Sequence, residues 1–283
     1  MKTQFELDLE QIIKIGLLED IGSGDHSSIA CIPPDSKGKS KLLVKEKGVI
    51  AGVDFALALF KQVDSNLIVD VHIPDGTQVD IGDIVFEVYG ASLSLLKAER
   101  LMLNSMQRMS AIATKTKHFS DLLRGTKTKL LDTRKTTPGI RLLEKWAVRI
   151  GGGHNHRFGL YDMIMLKDNH IDFAGGIDNA ISKTKDYLKV NQLDLDIIVE
   201  VRNFDELSQV LKHSGIRRIL IDNFSIENTL KAVSMIDGQC ESESSGNINE
   251  NTIAQYAACG VDYISTGAIT HSVQNMDLSF KAF

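Results

Sequence analysis

Residues 195–223 read LDIIVEVRNFDELSQVLKHSGIRRILIDN. Two short apolar runs, LDIIVEV and RRILID, close on polar residues, and FDELSQVLKH between them has helical spacing. Strand, crossing helix and strand in so short a stretch make a βαβ unit with parallel strands. The same alternation extends outward in both directions. KLLDTRK and DMIMLKDN precede it, a weaker CESESSG and then VDYISTG follow it, and the helix-like PGIRLLEKWAVRI, IDNAISKTKDYL, SIENTLKAVSMI and NENTIAQYAACG fill the gaps. Repeated βα units of this kind predict a closed or nearly closed α/β barrel. The C-terminal ends of barrel strands meet on one face, where the active site lies. That geometry gathers Arg134, Lys135, Lys167, Glu200, Asp222, Ser245 and Gly267 into one mouth.

The chain before this pattern has a different texture. Leu7, Leu9, Ile12, Ile13, Leu17 and Leu18 trace an amphipathic helix, which EDIGSGDHSS breaks. From Lys39 to Val88, the runs KLLVKE, VIAGV, LIVDVHI and DIVFEV surround a helix-like DFALALFKQV, as expected of a small antiparallel α+β unit. PDGTQVDIGD, with Asp75 and Gly76 at its tip, reads as turn chemistry. Over 91–123, Leu93, Leu96, Leu103, Met106, Met109, Ile112 and Ala113 form a long apolar stripe suited to a bridging helix. Glu99 and Arg100 within it read as edge charges.

Composition narrows the function classes. A chain of 283 residues, 43% hydrophobic and 24% charged, is an ordinary soluble protein, and its formal charge of -5 gives no general attraction to nucleic acid or anionic lipid. Three cysteines without C-x-x-C spacing argue against a disulfide framework or a zinc cluster. The N-terminus lacks the apolar core of a secretory signal, and the expected location is cytoplasmic.

Against that acidic background, residues 132–170 carry seven Lys or Arg and four Asp or Glu. An anionic ligand must therefore be drawn by local charge. Arg134 and Lys135 follow a strand and precede Pro138, suited to the first turn of a helix that Gly151 ends. A guanidinium matches a carboxylate or phosphate through two parallel bonds. His156 and Arg157 follow the Gly151–Gly153 run, on a loop able to approach a ligand closely. His154 has no assigned task, and Arg141, Lys145 and Arg149 at four-residue spacing read as an exposed helix face. Lys167 is either a ligand-binding cation or a Schiff-base nucleophile. Glu200 and Asp222 suit ligand hydroxyls or Mg²⁺, the alternative being ion pairs with Lys135 or Lys167. SSGNI and STGAITHS supply the small residues of a barrel phosphate site. Together these features fit the joining of an acidic small molecule to a phosphorylated sugar.

The stretch DTRKTTPGIRLLEKWAVRIGGGHNHRFGLYDMIMLKDNHI closely resembles the signature of the quinolinate phosphoribosyltransferase family, the carboxylating nicotinate-nucleotide pyrophosphorylases, which are type II phosphoribosyltransferases. EDIGSGD, AERLMLNSMQRMSAIAT, VEV, ILIDN and GVDYISTGAITHS extend the likeness over essentially the whole chain. The resemblance implies an α/β protein with an N-terminal open-faced α/β sandwich, residues 1–110, and an incomplete (β/α) barrel, residues 111–270, the tail 271–283 returning to the first domain. It implies conversion of quinolinate and phosphoribosyl pyrophosphate to nicotinate mononucleotide, pyrophosphate and CO₂, with Mg²⁺, in de novo NAD synthesis. It also implies a homodimer, or a higher assembly of dimers, with sites between subunits. By motif position, Arg134, His156, Arg157 and Lys167 correspond to quinolinate-carboxylate binders, and Arg100 to a cation serving the partner's site. Lys135, Glu200 and Asp222 correspond to the catalytic residues that hold phosphoribosyl pyrophosphate and its metal. Ser245, Gly246, Gly267 and His271 correspond to phosphate-side contacts, and Thr133 falls in the same substrate-binding run. Two positions depart from the pattern: Asn247 stands where the family often has a second glycine, and Ser28 where threonine is commoner. The rival readings are a related molybdenum-transport-associated family, a Schiff-base barrel aldolase using Lys167, and a non-catalytic phosphate-binding barrel.

Overall fold

The computed structural model describes residues 2–283. In chain order its elements begin with α1 (Gln4–Ile21), α2 (His26–Cys31), β1 (Lys37–Val44), β2 (Gly48–Val49) and α3 (Val53–Val63). β3 (Ile68–Val71), β4 (Gln78–Val79), β5 (Ile84–Ala91) and the long α4 (Ser92–Leu122) follow. Next come β6 (Lys129–Leu131), α5 (Arg141–Ile150), β7 (Ile164–Leu166), α6 (Asp168–Ala174) and α7 (Ile177–Asn191). β8 (Ile197–Val201), α8 (Phe204–Val210), β9 (Arg218–Asp222), α9 (Ile226–Ile236) and β10 (Glu241–Ser245) continue the alternation. The chain closes with α10 (Ile253–Ala258), β11 (Tyr263–Ser265), α11 (Ala268–His271) and β12 (Leu278–Ala282). These residues form two compact units. The first comprises residues 2–117 with Thr136–Gly152 and Ile269–Phe283, the second His118–Lys135 with Gly153–Ala268. The boundary expected after residue 110 falls inside α4, and the α5 segment expected in the barrel groups with the first unit.

The first unit is built on an antiparallel sheet in the order β12-β1-β5-β3. β1 alternates in burial, with Leu42 and Val44 inside, as its two-residue period requires. α3 covers that interior with Val53, Phe55, Ala56, Leu59 and Phe60. The Phe60 ring meets Phe86 edge-on at 5.8 Å and Phe280 at 6.3 Å, so residues far apart in sequence share one core. The start of α3 has an unusual cap. Its N-cap, Gly52, has φ +100 and offers no side chain, so the orphan amides of Val53 and Asp54 donate instead to the Asp75 carboxylate at 2.8 and 3.4 Å. Gly76 beside it has φ +86, in keeping with a turn, yet Asp75 does more than turn the chain. Ser28, where the resemblance leads one to expect threonine, serves its neighbour. Its amide donates to Asp25 Oδ1 at 3.0 Å, and its hydroxyl and amide hold the Asp25 carboxyl below the usual range.

Two expectations for the α5 region are corrected. Arg149 is exposed as expected, but Lys145 is 2% exposed and Arg141 half-buried, so the three cations do not form one solvated face. The helix buries a charged seam, in which Glu144 accepts from Arg108 Nε at 2.9 Å and from the Thr137 amide and hydroxyl at 3.1 and 2.7 Å. Gly151 does not serve close approach to a ligand, because a Cβ there would meet the Ala113 carbonyl oxygen at 2.4 Å. It is glycine so that the end of α5 can lie against the backbone of α4.

The second unit holds a six-stranded parallel sheet in the order β6-β11-β10-β9-β8-β7. The order makes β6 and β7 the two edges, which leaves the barrel incomplete. The α/β class and the two kinds of sheet agree with the sequence reading. Ile197, Val199, Val201, Ile219 and Ile221 pack outward with Leu207, Val210, Ala232 and Ile236 of the helices. Alternate residues point inward, where Met165, Ile198 and Leu220 form a small apolar layer. Glu200, Arg218, Asp222 and Glu243 share that inward register. Beside β6, His154 supplies only backbone: its amide donates to Leu130 O at 2.8 Å and its carbonyl accepts from the Asp132 amide at 3.1 Å. Among the described residues, no helix is long and apolar enough to cross a membrane.

The Asp75 cap gives the first test. Asp75→Ala should lower the stability of the protein by about 1 kcal/mol, the usual worth of a capping side chain. The shift is readable as a lower denaturant midpoint at unchanged slope, and an unchanged midpoint would show that water satisfies the α3 amides equally well.

Candidate active site

The second unit brings Thr133, Arg134, Lys135, His156, Arg157, Lys167, Glu200, Asp222, Ser245, Gly246 and Gly267 to the C-terminal ends of its strands or the loops that follow them. Arg100 on α4 and His271 at the end of α11 belong to the first unit, and both are exposed. His271 Nδ1 lies 2.6 Å from the Ser272 hydroxyl.

The cations lie on the segments that flank the two edge strands, β6 and β7. Arg134 and Lys135 are exposed after β6, and the Lys135 amide donates to Thr133 Oγ1 at 3.0 Å, which holds the turn. Arg157 is 8% exposed, and its Nη1 donates to the Met163 carbonyl at 3.2 Å. Burial pushes its guanidinium below the usual value, the nearby charge of Arg134 pushes the same way, and Asp162 opposes both. Two like charges in a partly dehydrated setting repel each other, and an anion placed between them relieves that repulsion. Lys167 caps α6, its amide donating to His170 Nδ1 at 3.0 Å, and its Nζ lies 3.7 Å from Glu200 Oε2. A half-exposed ammonium beside a carboxylate is the setting of a binding cation; a desolvated amine nucleophile needs the opposite surroundings.

The acids sit on neighbouring strands. Burial raises the Glu200 carboxyl above the usual range, Lys167 pulls it down, and Asp222 pushes it up again. Asp222 ends β9 in register with Ser245 at the end of β10, and Asn223 Nδ2 donates to Asp222 Oδ2 at 2.7 Å. Gly246 then takes φ +92 and Asn247 φ +51, which turns the loop at the strand end. After β11, the Ala268 amide donates to Thr266 Oγ1 at 3.2 Å, so the Gly267 turn is pinned from both sides. Two carboxylates with phosphate-compatible loops beside them suit Mg²⁺, which takes one or two carboxylates and completes its octahedron with substrate phosphates and water. Among the described residues, no group of three or more His, Cys, Asp or Glu side chains could hold a metal by itself.

Beneath the mouth lies a set of charged residues that sequence reasoning passed over. Asp132, fully buried, accepts from the His156 amide at 2.8 Å and from Asn155 Nδ2 at 2.7 Å. His156 Nδ1 accepts from the Arg157 amide at 2.7 Å, which leaves its proton on Nε2, 3.4 Å from Glu243 Oε2. Glu243, also fully buried, accepts from Arg218 Nη1 at 2.9 Å. Arg218 is further held by Glu241 Oε2, at 3.2 Å from Nε and 3.1 Å from Nη2, and stacks 3.8 Å over the Tyr263 ring. Burial alone would raise the Glu243 carboxyl, but the His156 imidazole 3.4 Å away and the charge of Arg218 outweigh it and hold the group below its usual range. The signal was present in CESESSG: Glu241 and Glu243, two apart, share one face of a buried strand, which only a paired cation permits.

Removing Glu243 should therefore be costly. Glu243→Ala leaves Arg218 and His156 without their buried partner and should lower stability by about 3–5 kcal/mol, read by chemical denaturation. Because the folded carboxyl sits below 4.5, its contribution is complete above that value and is lost as pH falls through the depressed one. The difference between wild type and variant should then hold constant from neutral pH down to about 4.5 and shrink only in stronger acid. A difference that vanished near pH 6 would contradict an ionised Glu243.

Comparison with known proteins follows the same geometry. The family model "Quinolinate phosphoribosyl transferase, N-terminal domain" matches residues 25–110, and "Quinolinate phosphoribosyl transferase, C-terminal domain" matches residues 112–281. The chain is 44% identical over 289 aligned residues to the chloroplastic nicotinate-nucleotide pyrophosphorylase (carboxylating) of Oryza sativa subsp. japonica, covering 97% of this chain and 77% of that protein. It is 37% identical to the probable nicotinate-nucleotide pyrophosphorylase (carboxylating) of Bacillus subtilis (strain 168), covering 96% of this chain and 93% of that one. Among solved structures, NadC from Streptococcus pyogenes superposes with a TM-score of 0.91 at 36% identity, over 99% of this chain and 98% of that one. The nicotinate-nucleotide pyrophosphorylase from Francisella tularensis does so with 0.90 at 38% identity, over the whole of both chains.

Proposed function

Because the chain belongs to the quinolinate phosphoribosyltransferase family, we propose that it transfers the phosphoribosyl group of phosphoribosyl pyrophosphate to quinolinate with loss of CO₂, giving nicotinate mononucleotide and pyrophosphate for NAD synthesis. The observation that carries this reading is the sorting of charge at the strand ends. Arg134, Lys135, Arg157 and Lys167 stand with Glu200 and Asp222 at the mouth of the second unit, and turned loops at Gly246 and Gly267 adjoin them. Cations suit the two carboxylates of a pyridine dicarboxylate, carboxylates suit ribose hydroxyls, and loop amides suit a phosphate.

In this reading Arg134, Arg157 and Lys167 hold the quinolinate carboxylates; His156, expected beside them, is buried with its Nδ1 taken by the Arg157 amide, and it serves instead to fix the backbone from which Arg157 projects. The mutual repulsion of Arg134 and Arg157 favours an anion between them. Lys135 faces the pyrophosphate, while Glu200 and Asp222 hold the ribose or the metal, with Ser245, Gly246, Gly267 and His271 on the phosphate side. Mg²⁺ bound with the pyrophosphate supplies neutralisation of the leaving charge, and Glu200 and Asp222 would hold it, directly or through water. Fixing both substrates in one site replaces a chance encounter by an oriented one. Breaking the C1–O bond sends its electrons to pyrophosphate, and the pyridine nitrogen's lone pair forms the new C1–N bond. The ring nitrogen is now cationic, so the electrons of the adjacent C–CO₂⁻ bond can enter the ring as CO₂ leaves, and that ring carbon then takes a proton. No side-chain nucleophile is needed. The working unit we propose is a homodimer in which Arg100 completes the partner's site, and the compartment we propose is the cytoplasm.

Incubation with quinolinate, phosphoribosyl pyrophosphate and Mg²⁺ should release CO₂ and nicotinate mononucleotide in equal amounts. Turnover of nicotinate with none of quinolinate would overturn the assignment. Arg134→Ala should raise the quinolinate KM by about 10-fold or more, the loss of one charge-assisted pair, and an unchanged KM and kcat would remove the residue from the site.

Glu200 separates catalysis from stability. Its folded carboxyl is raised above 4.5, so the ionised form that the reaction needs is a strain on the fold above that raised value and absent below 4.5. Glu200→Gln should abolish most activity yet raise Tm by roughly 2–4 °C near neutral pH, as for about 1 kcal/mol. In the wild type, kcat/KM should fall on the acid side as pH drops through the raised value. A lower Tm in the variant would mean that the Lys167 contact outweighs desolvation.

A further inference from the structure

Asn247 follows the Ser245–Gly246 turn, and the structure gives its side chain a partner. Asn247 Nδ2 donates to Asn223 Oδ1 at 3.1 Å. Asn223 Nδ2 in turn donates to Asp222 Oδ2 at 2.7 Å, and the Asn223 amide donates to the Ser245 carbonyl at 2.9 Å. The direction of the Asn223 side chain follows from its neighbours. Only with nitrogen toward Asp222 and oxygen toward Asn247 are both contacts attractive, since the reverse sets an amide oxygen against a carboxylate. Backbone geometry supports the same arrangement. Asn223 and Asn247 have φ +55 and +51, a region that asparagine enters more readily than most residues. Gly246 between the strand end and Asn247 has φ +92, and a Cβ there would lie 2.2 Å from Asn223 Oδ1. The glycine therefore leaves room for the Asn223 amide to lie flat against the loop.

Both asparagines are exposed, and a hydrogen bond between exposed amides contributes little to folding because water replaces it readily. What it can do is fix direction. We propose that Asn223 and Asn247 are positioning residues, a relay of two amides that holds the Asp222 carboxylate in one orientation and ties it to the Ser245–Gly246 loop. Acid and loop then meet phosphoribosyl pyrophosphate as one rigid surface. The inference rests on the reading of Asp222 and the Ser245–Gly246 loop as that substrate's contacts.

The test uses the full chain and measures binding without turnover, by calorimetry with phosphoribosyl pyrophosphate and Mg²⁺ in the absence of quinolinate, together with Tm and steady-state kinetics. Asn247→Gly removes the amide and relieves the positive φ. It should leave Tm unchanged or slightly higher, weaken phosphoribosyl pyrophosphate binding about 3- to 10-fold, and leave the quinolinate KM as it was. Asn223→Ala should weaken the same binding by about 10- to 100-fold, as loss of a group that orients a ligand-holding carboxylate does. The double variant should bind no more weakly than Asn223→Ala alone, since Asn247 acts through Asn223. Asp222→Asn serves as the control. If it binds phosphoribosyl pyrophosphate as well as wild type, the reading of Asp222 fails and the relay fails with it. If Asp222→Asn is impaired while Asn247→Gly binds like wild type, or loses binding only in step with a fallen Tm, the relay alone is overturned.

Discussion

Glu243 and Arg218 meet at 2.9 Å in the interior of the second unit, the carboxylate wholly out of water, and much of the architecture above follows from keeping that pair intact. A charge cannot be buried alone, because the desolvation of a lone carboxylate far exceeds what packing returns. Once β9 sends Arg218 inward, the next strand must answer it, and Glu241 and Glu243 do. Glu243 then faces His156, whose other nitrogen receives the Arg157 amide, and Asp132 anchors the His156 amide from below. The position of Arg157 at the mouth is thus set from beneath, through buried polar contacts and not by the loop's own preferences. Such a network fixes one arrangement, since a half-satisfied version would be worse than an apolar core.

The contrast between this layer and the one above it explains why the site can be strained without the fold failing. Below, charges are paired and dry. Above, Arg134 and Arg157 share a sign, and Glu200 is raised by burial that Lys167 offsets only in part. The upper layer is disposed to receive ligand charge, and the lower layer supplies the rigidity that keeps the upper one from rearranging to relieve itself.

How much of this could be read from the sequence depends on where each residue finds its partner. Glu200 and Asp222 were legible because each closes an apolar run, and parallel strands leave one place for such ends to point. The βα alternation was legible for the same reason, even in CESESSG, whose hydrophobicity is poor. Asp75, Lys145, Gly151 and Glu243 were not. Asp75 caps a helix that begins at Val53, Gly151 is shaped by the Ala113 carbonyl, and Glu243 answers Arg218 from the neighbouring strand. Local patterning reports the element a residue belongs to, and these residues are explained by a second element that only the tertiary fold brings near. The Gly151–Gly153 run shows the hazard: a loop signal was read as ligand approach, and at Gly151 it records one helix resting on another.

The first sheet has a further consequence, for the order in which the protein can take shape as it is made. β12 pairs with β1 along its length, Leu42 opposite Phe280 and Val44 opposite Leu278, and the Phe280 ring joins Phe60 in the core. The edge that β1 offers must therefore wait until all of the chain between Val44 and Leu278 is synthesised. The second unit, by contrast, has every one of its strands in hand once Ala268 has emerged. Contacts so distant in sequence close slowly and late. A ribosome carrying this chain would present an open, apolar sheet edge until Leu278–Ala282 arrive, so a stall or truncation before β12 would leave that edge free to pair with another nascent chain.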